Sequence, residues 1–234
     1  MCRSACYWLS CCRSDSHFYL PISAFAIVIL GAFGYFSFLS VYSAFNPSPL
    51  PPISQQGLQG LIVFESIVLL LLVLFLHLRG WTWKRVGIAP SIRYTLIGLG
   101  LAGVIYLADV LVWIAVHDLG MHPSYAGSYA ELSSHGLHIR SAVAVSVVNP
   151  LYEELFLCGY LITALKEKYA EVTAVNISVG IRLVCHLYQG AIGVLSIIPF
   201  GLMVTWWYAR TGKLWPILVA HAVIDLTSLL QFVR

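Results

Sequence analysis

Eight titratable side chains sit inside otherwise apolar runs of this chain: Glu65, Asp109, Glu153, Glu154, Arg182, His186, His221 and Asp225. A charge at the centre of a bilayer costs at least about 2.5 kcal/mol on insertion scales, so each is a functional hypothesis by default. Six of them fall in three consecutive segments. Glu153 and Glu154 are adjacent in "NPLYEELFLCGYL", Arg182 and His186 flank "LVC", and His221 and Asp225 stand in "HAVIDL". The last two pairs are spaced i, i+4, which stacks their side chains on one helix face. Counted from the cytoplasmic helix ends at about 1.5 Å per residue, Glu153 lies roughly 18 Å deep, His186 roughly 21 Å, His221 roughly 10 Å and Asp225 roughly 16 Å. Side chains at these depths can meet at one level.

Two acids and two imidazoles in a low-dielectric cavity make a hydrolytic site. A carboxylate can take a proton from water, and a neighbouring His can orient that water or pass a proton to a leaving amine. The other His, with the side chain one turn from it, could hydrogen-bond a developing oxyanion. The same donor set is acceptable to zinc, although no compact H-x-x-x-H or H-E-x-x-H element is present. On residue types alone, a polar network that locks helices together and an ion or proton path also remain open. Glu65 and Asp109 stand alone in their runs; a structural partner across the bundle, such as a hydroxyl or Arg182, is as good a reading of each as a catalytic role, and both are left outside the site. Cysteine catalysis by Cys158 or Cys185 is disfavoured, because Cys185 points about 100° round its helix from His186 and buried thiols are usually inert.

The elements that must hold these groups are membrane helices. Hydrophobic residues make up 59% of the 234, charged residues 10%, and mean hydropathy is +0.85, which excludes an ordinary water-soluble fold. Apolar runs near Phe18 to Phe45, Leu58 to Leu78, Tyr94 to Val116, Ile139 to Leu165, Val172 to Tyr188, Ile192 to Tyr208 and Leu214 to Val233 predict an all-α, polytopic transmembrane bundle of about seven spans. With a cytoplasmic N-terminus, ten of the 13 Lys and Arg residues fall on the inner side, as the positive-inside rule requires. The first run is expected to be an uncleaved anchor. No linker or repeat divides the chain, so residues 1–234 are expected to form one membrane domain in a plasma or inner membrane.

Three loops carry distinctive residues. "NPSPLPP" cannot be helical and is expected to turn on the outer side. "RGWTWKRVGIAP" mixes aromatic and basic residues, as does an interfacial segment or a plain positive-inside loop. His117, His122, His135 and His138 in the outer loop match no metal-ligand spacing and are expected to be solvated. Cys2, Cys6, Cys11 and Cys12 are expected to be spare thiols in a reducing compartment.

"EELFLCGYL", "CHLYQG", "YARTGKLWP" and "HAVIDL", in that order over about residues 149–226, resemble the CPBP family of intramembrane endopeptidases, which is related to the type II CAAX prenyl endopeptidase and to bacteriocin-processing and immunity proteins. The resemblance implies that Glu153 activates water together with His186, that His221 and Asp225 support the oxyanion, and that Glu154 organises the site. It implies no metal or other cofactor, zinc being the alternative, and a membrane-bound or lipidated peptide as substrate rather than a nucleic acid. The chain departs from the family pattern twice. Cys158 stands where the first motif ends in Arg, and Arg182 stands where the second begins with Phe. Arg182 is therefore expected to be the charge-balancing cation, moved from one helix to the next. The alternative is a catalytically silent relative acting as an immunity or scaffold membrane protein.

Overall fold

The computed structural model describes residues 22–46, 54–120 and 136–234. Cys2, Cys6, Cys11 and Cys12, the prolines of the first outer turn, and His122 and His135 lie outside the described residues. Within them the chain is an all-α, polytopic bundle. The helices are α1 (Ile22–Phe45), α2 (Gln55–Leu78), α3 (Ile92–Asp118), α4 (Ile139–Glu154), α5 (Glu171–His186), α6 (Gly190–Thr211) and α7 (Leu214–Leu230). A π-helical stretch, Leu155–Ile162, and one short α turn, Thr163–Leu165, prolong α4. Among the described residues the sole strand-like pairing is an isolated bridge between Leu137 and Val233.

Each expected apolar run is helical where it is described, except that the last leaves the helix after Leu230, but the runs do not qualify equally as membrane spans. Among the described residues, five helices are long and apolar enough to cross a bilayer. The fifth of them, Glu171–Thr211, is a 41-residue stretch that joins two expected runs. The join is a 3-10 turn, Leu187–Gln189, closed by Gly190 at φ 74°, a conformation that only glycine adopts without strain. Because α5 and α6 pack against each other, the chain reverses there. The last helix, Leu214–Leu230, is shorter.

Local chemistry explains where these apolar helices begin. Ser54 Oγ accepts from the Gly57 amide at 3.0 Å and Ser91 Oγ from the Tyr94 amide at 3.2 Å, the capping that satisfies orphan N–H groups at a helix start. "RGWTWKRVGIAP" is a series of turns rather than a helix, and its two tryptophans differ. Trp81 is buried with its ring 4.8 Å from Tyr160 and beneath the Arg85 guanidinium at 4.1 Å, whereas Trp83 is exposed. Trp81 is thus a core anchor and not an interfacial residue.

Close helix contact depends on missing side chains, as is usual where lipid removes the hydrophobic drive between helices. A Cβ on Gly98 of α3 would lie 2.6 Å from the Pro216 carbonyl oxygen and 2.7 Å from Val219 Cβ of α7. A Cβ on Gly87, at φ 79°, would lie 1.9 Å from the Gly212 carbonyl oxygen, beside the point where the Leu214 amide donates to the Gly87 carbonyl at 3.0 Å. At one end of the bundle, Lys166 and Arg210 both pair with Glu171, at 3.0 and 2.7 Å, and Arg85 pairs with Glu167 at 2.6 Å. Basic residues assigned to one side by charge counting are therefore neighbours in space.

The centre of the bundle is the end of α4. All eight residues of the π-helical stretch are buried. Its backbone is tied to neighbouring helices by side chains: Ser178 of α5 donates to the Leu157 carbonyl at 2.9 Å, and the Tyr208 hydroxyl of α6 lies 3.3 Å from the Gly159 carbonyl. One turn earlier, the Tyr152 hydroxyl donates to the Ala32 carbonyl of α1.

Gly98→Val should lower stability by about 1–3 kcal/mol, the usual cost of overpacking, seen as a fall in the thermal midpoint of the detergent-solubilised protein. Gly100→Val, whose added Cβ meets nothing within 4 Å, should leave the midpoint in place.

Candidate functional site

The site forms where the end of α4 meets α5 and α7, with α6 closing one side. Its centre is Arg182, whose side chain is only 1% exposed. One guanidinium nitrogen, Nη1, donates to Glu153 Oε2 at 2.7 Å, and the other, Nη2, donates to both Glu154 oxygens at 2.9 Å. Two adjacent helix residues normally diverge by about 100°, so a planar fork reaching between them is what lets one cation serve both. Arginine has that geometry and lysine does not. Phe200 of α6 lies under the guanidinium at 5.0 Å and edge-on to the His221 ring at 4.6 Å. Gly201, where a Cβ would come within 3.2 Å of Arg182 Cδ, leaves room for the arginine stem.

Glu154 is fully buried and receives four hydrogen bonds. Besides the two from Arg182, Cys158 Sγ donates to its Oε2 at 3.2 Å and His221 Nδ1 lies 2.8 Å from its Oε1. Cys158 thus stays within reach of Glu154 as a weak donor, while the charge comes from α5. Its thiol is buried and already engaged, and Cys185 lies 3.3 Å from Ser37 Oγ, which gives neither sulfur the setting of a nucleophile.

His221 continues the chain of contacts. Its Nε2 lies 3.5 Å from Asp225 Oδ1, and Asp225 Oδ2 accepts from Asn149 Nδ2 at 3.0 Å. Asn149 stands one turn before Glu153 on α4, so α4 and α7 are joined at both ends of this network. His186 is connected differently. Its Nδ1 lies 2.7 Å from the Arg182 carbonyl oxygen, and a carbonyl can only accept, so Nδ1 bears a proton and Nε2 is the ring nitrogen left to face other groups.

Glu153, Glu154, Arg182, His221 and Asp225 therefore form one bonded network, and His186 joins it through the Arg182 backbone. Two further residues belong to this region. Asn149 has a helical signal, the i, i+4 relation to Glu153, which is weak because an Asn before a Pro reads equally as a turn. Glu65, expected to stand apart with a partner of its own, is buried on α2 within electrostatic reach of Glu153, Asp225 and His221, and its Oε2 has no hydrogen-bond partner among the described residues. A lone acid on a separate span carries no signal of its neighbours. Asp109 lies elsewhere, in an open groove of about 550 Å³ along α3 with Trp113 and His117.

Glu153, Glu154 and His221 offer ligand atoms within 4.8 Å of one another. Arg182 already holds both oxygens of Glu154 and one of Glu153, and a metal ion there would sit against the guanidinium. The donor set fits an arginine-centred ion cluster better than a metal.

Arg182→Ala should destabilise the protein by about 3–5 kcal/mol, the cost of stranding buried partners, read as a large fall in thermal midpoint. Cys158→Arg combined with Arg182→Phe returns a cation to α4 and should recover most of it. An unchanged midpoint for Arg182→Ala would show that the acids need no cation.

Residues 136–227 match the Rce1-like family model, described as type II CAAX prenyl endopeptidase Rce1-like. This stretch runs from the residue before the isolated bridge to two residues beyond Asp225 and contains every group of the network except Glu65. The C-terminal part of the chain is thus similar to that family, in agreement with the CPBP resemblance of its motifs. No curated protein and no solved structure matches the chain.

Proposed function

We propose that the protein is an intramembrane endopeptidase that hydrolyses peptide bonds of membrane-bound or lipidated peptides, using water activated by Glu153 and His186. The observation that carries this reading is the asymmetry of the two acids. The Glu154 side chain is 0% exposed with both oxygens bonded, whereas that of Glu153 is 15% exposed and only its Oε2 is committed to Arg182. Oε1 of Glu153 is left to meet water.

The reaction balances as a general-base hydrolysis. Glu153 takes one proton from water as the water oxygen bonds to the scissile carbonyl carbon, and the carbonyl π electrons move onto its oxygen. Collapse of that tetrahedral species breaks the C–N bond, and the leaving nitrogen takes up a proton. His186, through Nε2, would hold the water or carry that proton. Arg182 and Glu154 fix the position of Glu153, and His221 with Asp225 lies on the side where the oxyanion would form. No metal or other cofactor enters the scheme. A multi-pass protein with its basic end in the cytoplasm and its N-terminus on the same side, in a plasma or inner membrane, would take substrates laterally or from that face.

The test is cleavage in proteoliposomes of two fluorogenic peptides, one farnesylated and one merely apolar, which also reports whether a prenyl group is needed. Glu153→Gln and His186→Ala should each reduce turnover at least about 100-fold, as loss of a general base does, with expression and thermal midpoint retained. Full turnover by both variants would defeat the enzyme reading in favour of a scaffold or immunity role. Ion flux altered by Asp225→Asn would point to a carrier instead.

A further inference from the structure

An intermediate whose oxygen carries negative charge needs a donor, and the network leaves few. His221 turns both ring nitrogens toward acids, Nδ1 to Glu154 at 2.8 Å and Nε2 to Asp225 at 3.5 Å. Asp225, as a carboxylate, accepts hydrogen bonds and repels an oxyanion. Arg182 spends both N–H bonds of Nη2 on Glu154 and one of Nη1 on Glu153, and the N–H bonds it keeps, on Nη1 and on the unpartnered Nε, belong to a side chain only 1% exposed. The half-buried donor that remains is the side-chain amide of Asn149. It is half-buried at the level of Glu153, one turn away on the same helix, and only one of its two N–H bonds is used among the described residues, on Asp225 Oδ2 at 3.0 Å. That bond also orients it. An amide can flip its oxygen and nitrogen, and a carboxylate partner demands the nitrogen.

We infer that Asn149 is a catalytic residue, donating its second Nδ2–H to the oxyanion while Asp225 holds the amide in that orientation. Resting on the endopeptidase reading, this gives the oxyanion side of the site a neutral donor. It also makes Asp225 a positioning residue whose charge is occupied by Asn149 and His221. Between membrane-spanning helices such a preorganised donor counts for more than in water, because no solvent reorients to replace it.

The experiment measures kcat and KM for the farnesylated and apolar fluorogenic peptides in proteoliposomes, with the thermal midpoint recorded alongside. Asn149→Ala and the near-isosteric Asn149→Leu should each lower kcat by about 100- to 1000-fold, the effect of removing one oxyanion donor, with KM within about threefold. Affinity for a trifluoromethyl-ketone peptide, whose hydrate carries the tetrahedral oxygen, should fall in step with kcat/KM. Adding Asp225→Asn to Asn149→Ala returns an amide to the same spot and should restore at least about tenfold. A residue that merely braced α4 against α7 would give no such rescue and no loss specific to the analogue. If wild type cuts either peptide while both Asn149 variants cut it within about threefold of wild type, the Asn149 role is overturned and the endopeptidase reading survives. If wild type cuts neither peptide, both fall together.

Discussion

A guanidinium held between two adjacent carboxylates is the constraint on which the rest of the structure depends. Three charges at this depth are costly one by one, and the attraction between them offsets that cost only with good geometry and with the remaining polar atoms satisfied. Arg182 meets the first condition by bonding Glu153 and Glu154 together. The second is met for the acids by Cys158 and His221 on Glu154, Asp225 on His221 and Asn149 on Asp225, while Arg182 Nε has no hydrogen-bond partner among the described residues. Each partner comes from a different turn or helix, so α4, α5 and α7 can be displaced from one another only by exposing a charge to lipid. The ion cluster therefore positions the helices as much as the helices position it.

Around that cluster the backbone is also secured by side chains. The π-helical stretch follows Glu154 directly, and π turns are often found at functional sites because they re-aim side chains within a helix. Here Ser178 and Tyr208 bond its carbonyls, while Trp81 and Tyr160 pack at its other end. The outcome is a rigid floor beneath Glu154 and a more open flank at Glu153, His186 and Asp225. That difference in exposure distinguishes a sealed acid from one that keeps an oxygen open, a contrast that residue types alone do not reveal.

Much of the site was legible in sequence because membrane burial makes polar residues conspicuous. Glu153, Glu154, Arg182, His186, His221 and Asp225 are each improbable where they stand, and their helical spacing and depth bring them to one level. The cation at 182 follows from electrostatics, since Cys158 cannot neutralise an acid and the next helix offers a guanidinium. Glu65 and Asn149 were less legible. Glu65 is a single acid on a span with no motif, and its proximity to Glu153 depends on how α2 packs against α4. Asn149 precedes a proline, and its bond to Asp225 links residues 76 apart in the chain.

The sequence by itself determined an all-helical membrane bundle and which residues had to be reconciled with lipid, because apolar length, charge placement and i, i+4 spacing are local quantities. Tertiary structure decided what those residues do to one another. Only packing shows that one arginine serves both glutamates, that Glu154 is sealed while Glu153 keeps an open oxygen, that His221 is locked between acids, and that the chain turns back at Gly190 within a 41-residue helical stretch. The physical reason is range: helix formation is dictated within a few residues, whereas hydrogen-bond geometry and exposure depend on where other helices come to lie.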